Sequence, residues 1–439
     1  MNWDQLLSAK RFTSTARPED IRSQFQRDFD RIIFSSPFRR LQNKTQVFPL
    51  PGSVFVHNRL THSLEVSSVG RSLANLVSQT LLKREDLRNT ISLTELGSIV
   101  AAACLAHDLG NPPFGHSGEK AISKYFSEGK GKIFEAQLSP EQWSDLVSFE
   151  GNANAFRILT HQFNGRRNGG FALTYATLAA LVKYPYPSFP TSISKKKYGF
   201  FFSETETFIN IAVECGIPAI DKEKNIYARH PLVYLVEAAD DISYLIMDIE
   251  DAHKLGILKT SETENLLLSF FNEKEHAKFL SYKEEVYREV TDINERIAFL
   301  RASTINVLVQ QASSLFIKHY DTIMSGHFNS SLVKQLEGHY QIALDNCRKQ
   351  SIKWIYNHPS VIKIELTGYN VLGTLMDEFS SAILNPHESY NEKLLSLLPA
   401  QFQTASDDLY RKLQSVVDFI SGMTDLYALQ LYKDLKGIV

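Results

Sequence analysis

A buried helix that has to end beside a histidine–aspartate pair constrains this chain more than any other feature. Residues 99–106 are all apolar and lead directly into His107 and Asp108. The helix is predicted to end near Gly110, because the Pro112-Pro113 pair that follows cannot continue it. The two polar side chains therefore lie at the end of a buried helix. Burying them there is costly unless they are paired or bind a metal.

Helical spacing of apolar residues extends over most of the 439-residue chain. We predict helices at residues 59–82, 94–110, 173–184, 231–253 and 261 to about 320, and a helical region from there to 439. Strand patterns are few, and residues 54–56 and 199–202 are the candidates for short strands or a hairpin. The fold class is all-α, with a core at 1–260 and a helical C-terminal region at 261–439 packing on it.

Charge and cysteine content narrow the class of protein. With 47 basic and 49 acidic side chains, the net charge is −2, so the molecule as a whole does not attract nucleic acid. Cys104, Cys215 and Cys347 are isolated and odd in number, which indicates neither a disulfide framework nor a zinc ribbon and fits a reducing cytoplasm. The N-terminus lacks a secretory pattern, and the apolar stretch at 99–106 is too short to span a bilayer.

Two other segments carry side chains that could complete a metal site with His107 and Asp108. His62 lies in RLTHSLEV, and Asp240 and Asp241 lie within an apolar helix, where adjacent carboxylates need a cation or hydrogen-bond donors. A bare His-Asp dipeptide is by itself more typical of a helix end, but the additional residues favour a four-ligand site. Mixed nitrogen and oxygen donors suit a divalent transition metal or magnesium and leave positions open for water and substrate. The combination predicts a metal-dependent hydrolase.

Other polar residues near these segments have candidate roles in catalysis. His116 and Glu119 follow the proline turn and could transfer protons, although the same residues are also typical of a helix start. Arg59, Lys183 and the lysines at 195–197 are candidate phosphate ligands. The alternatives are a favourable charge at a helix end for Lys183 and a solvated loop for the lysine run.

Eight segments together resemble one known family. In chain order they are DRIIFSSPFRRLQNKTQVFPL, HNRLTHSLEVSSVGRSLA, LAHDLGNPPFGHSGE, FEGNANAFRIL, LTYATLAALVKYP, HPLVYLVEAADDISYLIMDIEDA, TGYNVLGTLMD and ISGMTDLYALQLYKDL. They resemble signature segments of the deoxyguanosine triphosphate triphosphohydrolases (dGTPases) of the HD-domain phosphohydrolase superfamily. The resemblance covers nearly the whole chain, and eight segments in order are far more specific than one dipeptide. It implies that 1–260 is an HD-domain catalytic core.

The resemblance also implies a role for each matching residue. It assigns one divalent metal ion per subunit (Mg, Mn or another transition metal) to His62, His107, Asp108 and Asp240. It assigns catalysis to His116 and Glu119. Triphosphate binding is assigned to Arg59, Lys183 and Tyr184, and the surroundings of the deoxyribose to Gln46, Tyr244 and Asp248. Asp241 is the alternative to Asp240 as a ligand. We prefer Asp240, because Tyr244 and Asp248 follow it at four-residue steps on one helix face.

The implied reaction is hydrolysis of a deoxynucleoside triphosphate, of dGTP or a broader range, at the α-phosphorus to give deoxynucleoside and inorganic triphosphate. The alternatives are an HD-domain nucleotidase or phosphodiesterase, and a nucleic-acid-binding or nucleotide-sensing protein with a vestigial site. A homo-oligomer is expected, and single-stranded DNA is a candidate effector.

Overall fold

The computed structural model describes residues 1–13, 21–48, 56–189, 197–404 and 406–438 and is almost entirely helical. In chain order the α-helices are α1 Trp3–Leu6, α2 Gln24–Ile33, α3 Ser36–Arg40, α4 Arg59–Leu81, α5 Leu96–Ala106, α6 His116–Ser127, α7 Pro140–Val147, α8 Gly151–Thr160, α9 Tyr175–Leu181, α10 Thr205–Glu214, α11 Val233–Lys254, α12 Thr260–Leu268, α13 Glu273–Glu289, α14 Ile293–Lys318, α15 Tyr320–Met324, α16 Gly338–Gln350, α17 Pro359–Leu384, α18 Ser389–Ser396, α19 Leu409–Ser421 and α20 Asp425–Lys436. A π-helical segment, Ser351–Tyr356, joins α16 to α17. Short 3₁₀ turns lie at Leu41–Asn43, Ile91–Glu95, Lys130–Gln137, Phe202–Glu204, Val333–Gln335 and Ala400–Phe402.

The prediction of an all-α fold with at most a short hairpin is confirmed, but the hairpin is not where we expected it. Strands β1 Ala219–Asp221 and β2 Ile226–Tyr227 pair antiparallel. In the predicted region 199–202, Phe200 forms only an isolated bridge to Pro187, and a 3₁₀ turn begins at Phe202. Most of the other candidate, 54–56, lies outside the described residues.

The long helical stretch expected from residue 261 to about 320 is divided into α12, α13 and α14. Asn272 and Asp292 cause two of the breaks, because their side chains accept hydrogen bonds from the backbone N–H groups of Glu275 and Glu295 and so cap new helices. The whole stretch is charged and amphipathic, and its overall helical pattern alone did not show the two caps.

Helix α5 is the centre of the fold. All of its residues except Ser98 are buried, between α4, α2, α9 and α11. The adjacent α4 begins at Asn58, whose side chain accepts from the Thr61 N–H while the Thr61 hydroxyl contacts the Asn58 N–H, a reciprocal cap.

Two hydrophobic cores are built around this arrangement. The first surrounds α4, α5, α9, α11 and α14. The second contains apolar residues of α6, α7, α17, α19 and α20. Each core takes residues from both sides of residue 260, so the C-terminal region packs on the N-terminal part throughout, and a boundary at 260 stays a proposal. None of the helices in the described ranges has the length and apolar character that a membrane span needs.

A buried ion-pair cluster joins α8 to the C-terminal region. Both oxygens of Asp418 on α19 accept from the Arg157 guanidinium at 2.9 Å, and Glu204 Oε1 accepts from the same guanidinium at 2.5 Å. All three side chains are at most 6% exposed. The arginine therefore neutralises two carboxylates that have almost no access to water.

Replacing this arginine should destabilise the protein strongly. Arg157→Ala leaves Glu204 and Asp418 buried without their counter-ion, which typically costs about 3–5 kcal/mol. We expect a clear fall in the urea midpoint followed by far-ultraviolet circular dichroism. Lys318→Ala, which breaks an exposed pair with Glu337, is the matched control and should leave the midpoint nearly unchanged. Equal midpoints in the two variants would contradict the assigned role of the cluster.

Candidate active site

The largest group of predicted functional residues surrounds one cavity of about 520 Å³. Eleven of the twelve residues that the sequence assigned to the site line it, and they are Gln46, Arg59, His62, His107, Asp108, His116, Glu119, Lys183, Tyr184, Asp240 and Tyr244. Asp248 is the exception. Lys197 also lines the cavity, whereas Lys195 and Lys196 lie outside the described residues.

Three helices of the first core deliver the candidate metal ligands. His62 lies in the first turn of α4, His107 and Asp108 follow the last residue of α5, and Asp240 lies in the second turn of α11. One ligand atom each from His62, His107 and Asp108 falls within 4.8 Å of the others. Asp240 Oδ1 is 3.3 Å from His62 Nε2 and 3.5 Å from His107 Nε2. Four donors from three segments thus converge on one point.

The hydrogen bonds of His107 indicate which of its ring nitrogens is free to bind a cation. Its Nδ1 is 2.6 Å from the carbonyl oxygen of Cys104, and because a carbonyl can only accept, Nδ1 carries the proton. In the neutral ring the lone pair is therefore on Nε2, which is buried and has no hydrogen-bond partner in the described part of the chain. A histidine held through one nitrogen with the other left free is the usual arrangement of a metal ligand. The donor set therefore fits a divalent metal ion.

The electrostatics of the ligands also favour a cation. Burial alone would lower the pKa of His107, but the nearby Asp108 and Asp240 carboxylates raise that pKa to about 9. Burial alone would raise the pKa of Asp240, but His107 and His62 hold it well below its ordinary value. The carboxylates are therefore ionised, and the site stabilises positive charge at the point where the donors meet.

The geometry distinguishes Asp240 from Asp241. Of these two carboxylates, Asp240 is the one with an oxygen within 3.5 Å of both His62 Nε2 and His107 Nε2. Burial, opposed by Lys183, raises the pKa of Asp241 to about 6. Asp241 also lines the cavity, but it has no comparable contact with the two histidines. This difference supports Asp240 as the ligand.

His116 and Glu119 form a hydrogen-bonded pair at the start of α6. Glu119 Oε2 is 2.7 Å from His116 Nδ1, and its Oε1 accepts from the Gly151 N–H at 2.8 Å. Burial alone would raise the pKa of Glu119, but its bonds to His116 and Gly151 keep it lowered. The His116 side chain is 70% exposed and faces the open side of the cavity. An oriented, accessible imidazole of this kind can exchange a proton with a bound molecule.

Two cationic residues of the cavity, Arg59 and Lys183, are already paired with carboxylates. Arg59 Nη1 donates to Asp108 Oδ2 at 2.8 Å, so this arginine also orients a candidate metal ligand. Its guanidinium fits because residue 115 is glycine. A Cβ there would lie 2.6 Å from Arg59 Nη2, and the backbone has a φ of +59°. Lys183 Nζ is 3.4 Å from Glu237 Oε1. This ion pair restricts the movement of the lysine side chain and keeps its ammonium group charged beside the cavity.

The residues assigned to the sugar are arranged differently from the sequence prediction. Tyr244 lines the cavity and stacks on Tyr356 with ring centroids 5.9 Å apart. Asp248 is buried and is not part of the lining, and its Oδ2 accepts from the Tyr356 hydroxyl at 2.8 Å. An effect of Asp248 on a bound molecule would therefore act through Tyr356. Gln46 lines the cavity, and its Oε1 is buried without a partner in the described ranges.

Sequence reasoning missed several residues of this site. Asn111 donates from Nδ2 to Asp108 Oδ1 and fixes the orientation of that carboxylate. Its position three residues after Asp108 was a usable signal. Tyr356 and Glu237 gave none: the first comes from the π-helical segment, and the second is one of many acidic residues on a long helix.

An all-helical fold with a histidine–aspartate site on adjoining helices defines the class of HD-domain proteins, and comparison with known families agrees. The HD domain family matches residues 59–159, and the phosphohydrolase-associated domain family matches residues 335–434. The chain is 40% identical to a deoxyguanosinetriphosphate triphosphohydrolase-like protein of Synechocystis sp., with full coverage of both chains. It is 34% identical to a protein of the same description from Listeria monocytogenes, again over the whole of both chains. It is 31% identical to the deoxyguanosinetriphosphate triphosphohydrolase of Yersinia enterocolitica, over all of this chain and 99% of the relative.

This chain belongs to the deoxyguanosinetriphosphate triphosphohydrolase family of HD-domain proteins. The family that its eight sequence segments resemble is thereby confirmed. The matched HD domain contains His62, His107, Asp108, His116 and Glu119.

Metal affinity should rise with pH up to about 9. A protonated His107 cannot bind a metal, and its pKa in the protein without metal is raised to about 9, so binding below that pH must release a proton. The apparent affinity should then increase about tenfold per pH unit between pH 7 and 9 and level off above. Calorimetric titration of Mn²⁺ into chelator-treated protein, in buffers of different ionisation enthalpy, measures both affinity and proton release.

Two variants make this test specific. His107→Ala should lose most of the affinity, whereas His116→Ala should keep the affinity and its pH dependence. Affinity that is independent of pH between 7 and 9 would contradict the proposed state of His107.

Proposed function

We propose that this protein hydrolyses deoxynucleoside triphosphates, dGTP or a broader range, to deoxynucleosides and inorganic triphosphate, with a divalent metal ion as cofactor. Membership of the family supports this function. The observation that carries it is the convergence of His62, His107, Asp108 and Asp240 at a cavity that also presents basic side chains and an oriented histidine.

We assign one divalent ion per subunit to His62, His107, Asp108 and Asp240, with Mg²⁺, Mn²⁺ or another transition metal as the candidates. Two imidazoles and two carboxylates suit a transition metal better than an all-oxygen site would, and manganese accepts both donor types. When bound, such an ion supplies Lewis-acid polarisation of a phosphoryl oxygen. Arg59 and Asn111 keep Asp108 turned toward the histidines through their hydrogen bonds.

Arg59, Lys183 and Tyr184 are assigned to the triphosphate. Arginine and lysine offset the negative charge that the phosphates carry and redistribute during reaction. Lys183 is paired with Glu237, whose other oxygen accepts from Arg229 at 2.6 Å, so the lysine is held beside the cavity before substrate binds. The Tyr184 ring lies 5.9 Å from Lys183 Nζ and limits the space into which the ammonium can turn.

His116 is assigned to proton transfer and Glu119 to its orientation. Hydrolysis at the α-phosphorus forms a bond from water oxygen to phosphorus and breaks the bond from phosphorus to the 5′ oxygen. One proton leaves the water and one joins the 5′ oxygen. Glu119 holds Nδ1 of the imidazole, so Nε2 is the nitrogen available for one of these transfers.

Gln46, Tyr244 and Asp248 are assigned to the deoxyribose side of the cavity. The stacked rings of Tyr244 and Tyr356 form a rigid wall that would leave no room for a 2′-hydroxyl on a sugar packed against it. Asp248 fixes the Tyr356 hydroxyl and so the orientation of that wall. Ribonucleotides are therefore expected to be poorer substrates.

The proposal extends to assembly and location. We propose a homo-oligomer, because α13 buries none of its residues within one chain and Ile342, Ile352 and Trp354 are exposed apolar side chains. A cytoplasmic location is supported by three buried cysteines that are all free thiols. Single-stranded DNA stays a candidate effector.

The reaction products test the proposed function directly. Incubation with dGTP or GTP in ¹⁸O-labelled water, with Mg²⁺, Mn²⁺ or Co²⁺, should convert dGTP faster than GTP. The label should appear in tripolyphosphate and not in deoxyguanosine, because the phosphorus–oxygen bond is the one that breaks. Mass spectrometry of the separated products measures this. Pyrophosphate and a nucleoside monophosphate as first products would instead indicate another HD-domain reaction.

Replacing the proposed proton-transfer residue should reduce turnover and leave metal binding intact. His116→Ala should lower kcat by about 10²- to 10⁴-fold, the usual contribution of a positioned acid or base. Metal content, measured by elemental analysis, should match the wild type, because His116 is not among the four donors. His387→Ala, an exposed histidine on another part of the chain, is the control. Near-normal turnover in His116→Ala would leave His116 with only its role at the helix start.

A further inference from the structure

A single buried carboxylate of the C-terminal region touches two separate loops of the cavity. Asp425, the first residue of α20, is 7% exposed. Its Oδ2 accepts from the Thr45 N–H at 2.9 Å, and its Oδ1 accepts from the Phe114 N–H at 3.0 Å. The two amides belong to segments that are otherwise far apart in the sequence, so each oxygen holds a different part of the site.

The Thr45 contact determines where one side of the cavity lies. Thr45 directly precedes Gln46, which lines the cavity, and forms an isolated antiparallel bridge with Asn58. The carbonyl of Lys44 accepts from the Arg59 N–H at 3.3 Å. The segment that Asp425 holds is therefore also joined to the start of the helix that carries Arg59.

The Phe114 contact holds a turn that is unfavourable by itself. Phe114 has a φ of +61° and Gly115 one of +59°, and L side chains rarely adopt such angles. A conformation of this kind persists only where surrounding contacts hold it. The turn leads directly into His116, so its geometry sets the position of the imidazole.

Lys44 makes a second connection between the same three segments. Its fully buried Nζ donates to the carbonyl oxygens of Asn111 at 2.5 Å and Ser421 at 2.9 Å. One carbonyl lies in the loop after Asp108, and the other at the end of α19. The 44–46 segment, the 108–115 loop and the C-terminal region are thus joined by two independent sets of hydrogen bonds.

We infer that Asp425 is a positioning residue: by binding the backbone of Thr45 and Phe114 it places Gln46 and His116 around the substrate. The C-terminal region then acts on the reaction without touching the substrate. The catalytic part of this inference rests on the proposed function, whereas the two hydrogen bonds can be tested without it.

Asp425→Asn is the variant of choice, because it keeps the shape of the side chain. It replaces one acceptor oxygen by an NH2 group, which cannot accept a hydrogen bond and repels a backbone N–H. Asp434→Asn, an exposed change on the same helix, is the matched control. Hydrogen exchange followed by mass spectrometry should show faster exchange in peptides containing Thr45 or Phe114 in Asp425→Asn and not in the control. Unchanged exchange in both peptides would overturn the inference, whatever the enzyme's activity.

Kinetics separate positioning from a general loss of stability. Asp425→Asn should lower kcat about tenfold or more and raise KM, with unchanged metal content. If the kcat loss acts through His116, the double variant with Asp425→Asn and His116→Ala should have a kcat less than about threefold below that of His116→Ala alone. Its KM should still be raised, because the effect on Gln46 does not depend on His116. Asp425 would be a structural residue only if the kcat losses of the two single variants multiply in the double variant. The same conclusion would follow if kcat is unchanged in Asp425→Asn although hydrogen exchange is faster.

Two further measurements keep the outcome unambiguous. If Asp425→Asn does not fold, Asp425→Glu keeps both acceptor oxygens one methylene further out and should show the same pattern to a smaller extent. The wild-type products are determined first. If they include tripolyphosphate, the proposed function holds, and the variants then decide the role of Asp425 alone.

Discussion

The rest of the site depends on the electrostatic interaction between carboxylates and histidines that the fold brings together at a point with little access to water. At the meeting point of α4, α5 and α11, two ionised carboxylates lie beside an imidazole nitrogen that has no hydrogen-bond partner in the described ranges. Such a group is costly to bury unless a cation completes it. The surrounding polar contacts serve this arrangement, since the carbonyl of Cys104 orients His107 while Arg59 and Asn111 orient Asp108. These groups together therefore favour a positive charge at this point.

The cavity lies where the two hydrophobic cores meet, and each core contributes a different part of the chemistry. The candidate metal ligands come from helices of the first core, which pack around α5. His116 and Glu119 come from α6, whose apolar face belongs to the second core together with α17 and α19. The strained turn at Phe114 joins the two. Buried polar contacts of Lys44 and Asp425 cross this junction and join the segments on its two sides.

Residues selected from the sequence came to the cavity where chemistry and local pattern coincided. Asp240 was selected because it lies among apolar residues on a helix, and both it and His62 line the cavity. Less could be predicted where the partner is distant. The resemblance assigned Asp248 to the sugar side, but its contact is with Tyr356, 108 residues away, and not with the cavity. Lys44 and Asp425 lie in two of the eight segments, but no role followed for either, because their partners are backbone groups, which carry no residue-specific signal. The hairpin was misplaced because a two-residue strand has too few positions for alternation to be recognised.

The sequence by itself determined the all-helical class and the place of the histidine–aspartate pair near the C-terminal end of α5, although the helix ends at Ala106 rather than near Gly110. It also provided the candidate side chains for binding a metal and phosphates. These follow from periodicity, from the inability of proline to continue a helix and from side-chain chemistry, all of which act over a few residues. Only the tertiary structure distinguished Asp240 from Asp241, set the protonated nitrogen of His107, enclosed the cavity and brought the C-terminal region beneath it. Those features depend on which groups come together when the chain packs. The free energy of burying a charge or an unpaired donor depends on neighbours that lie hundreds of residues away in the sequence.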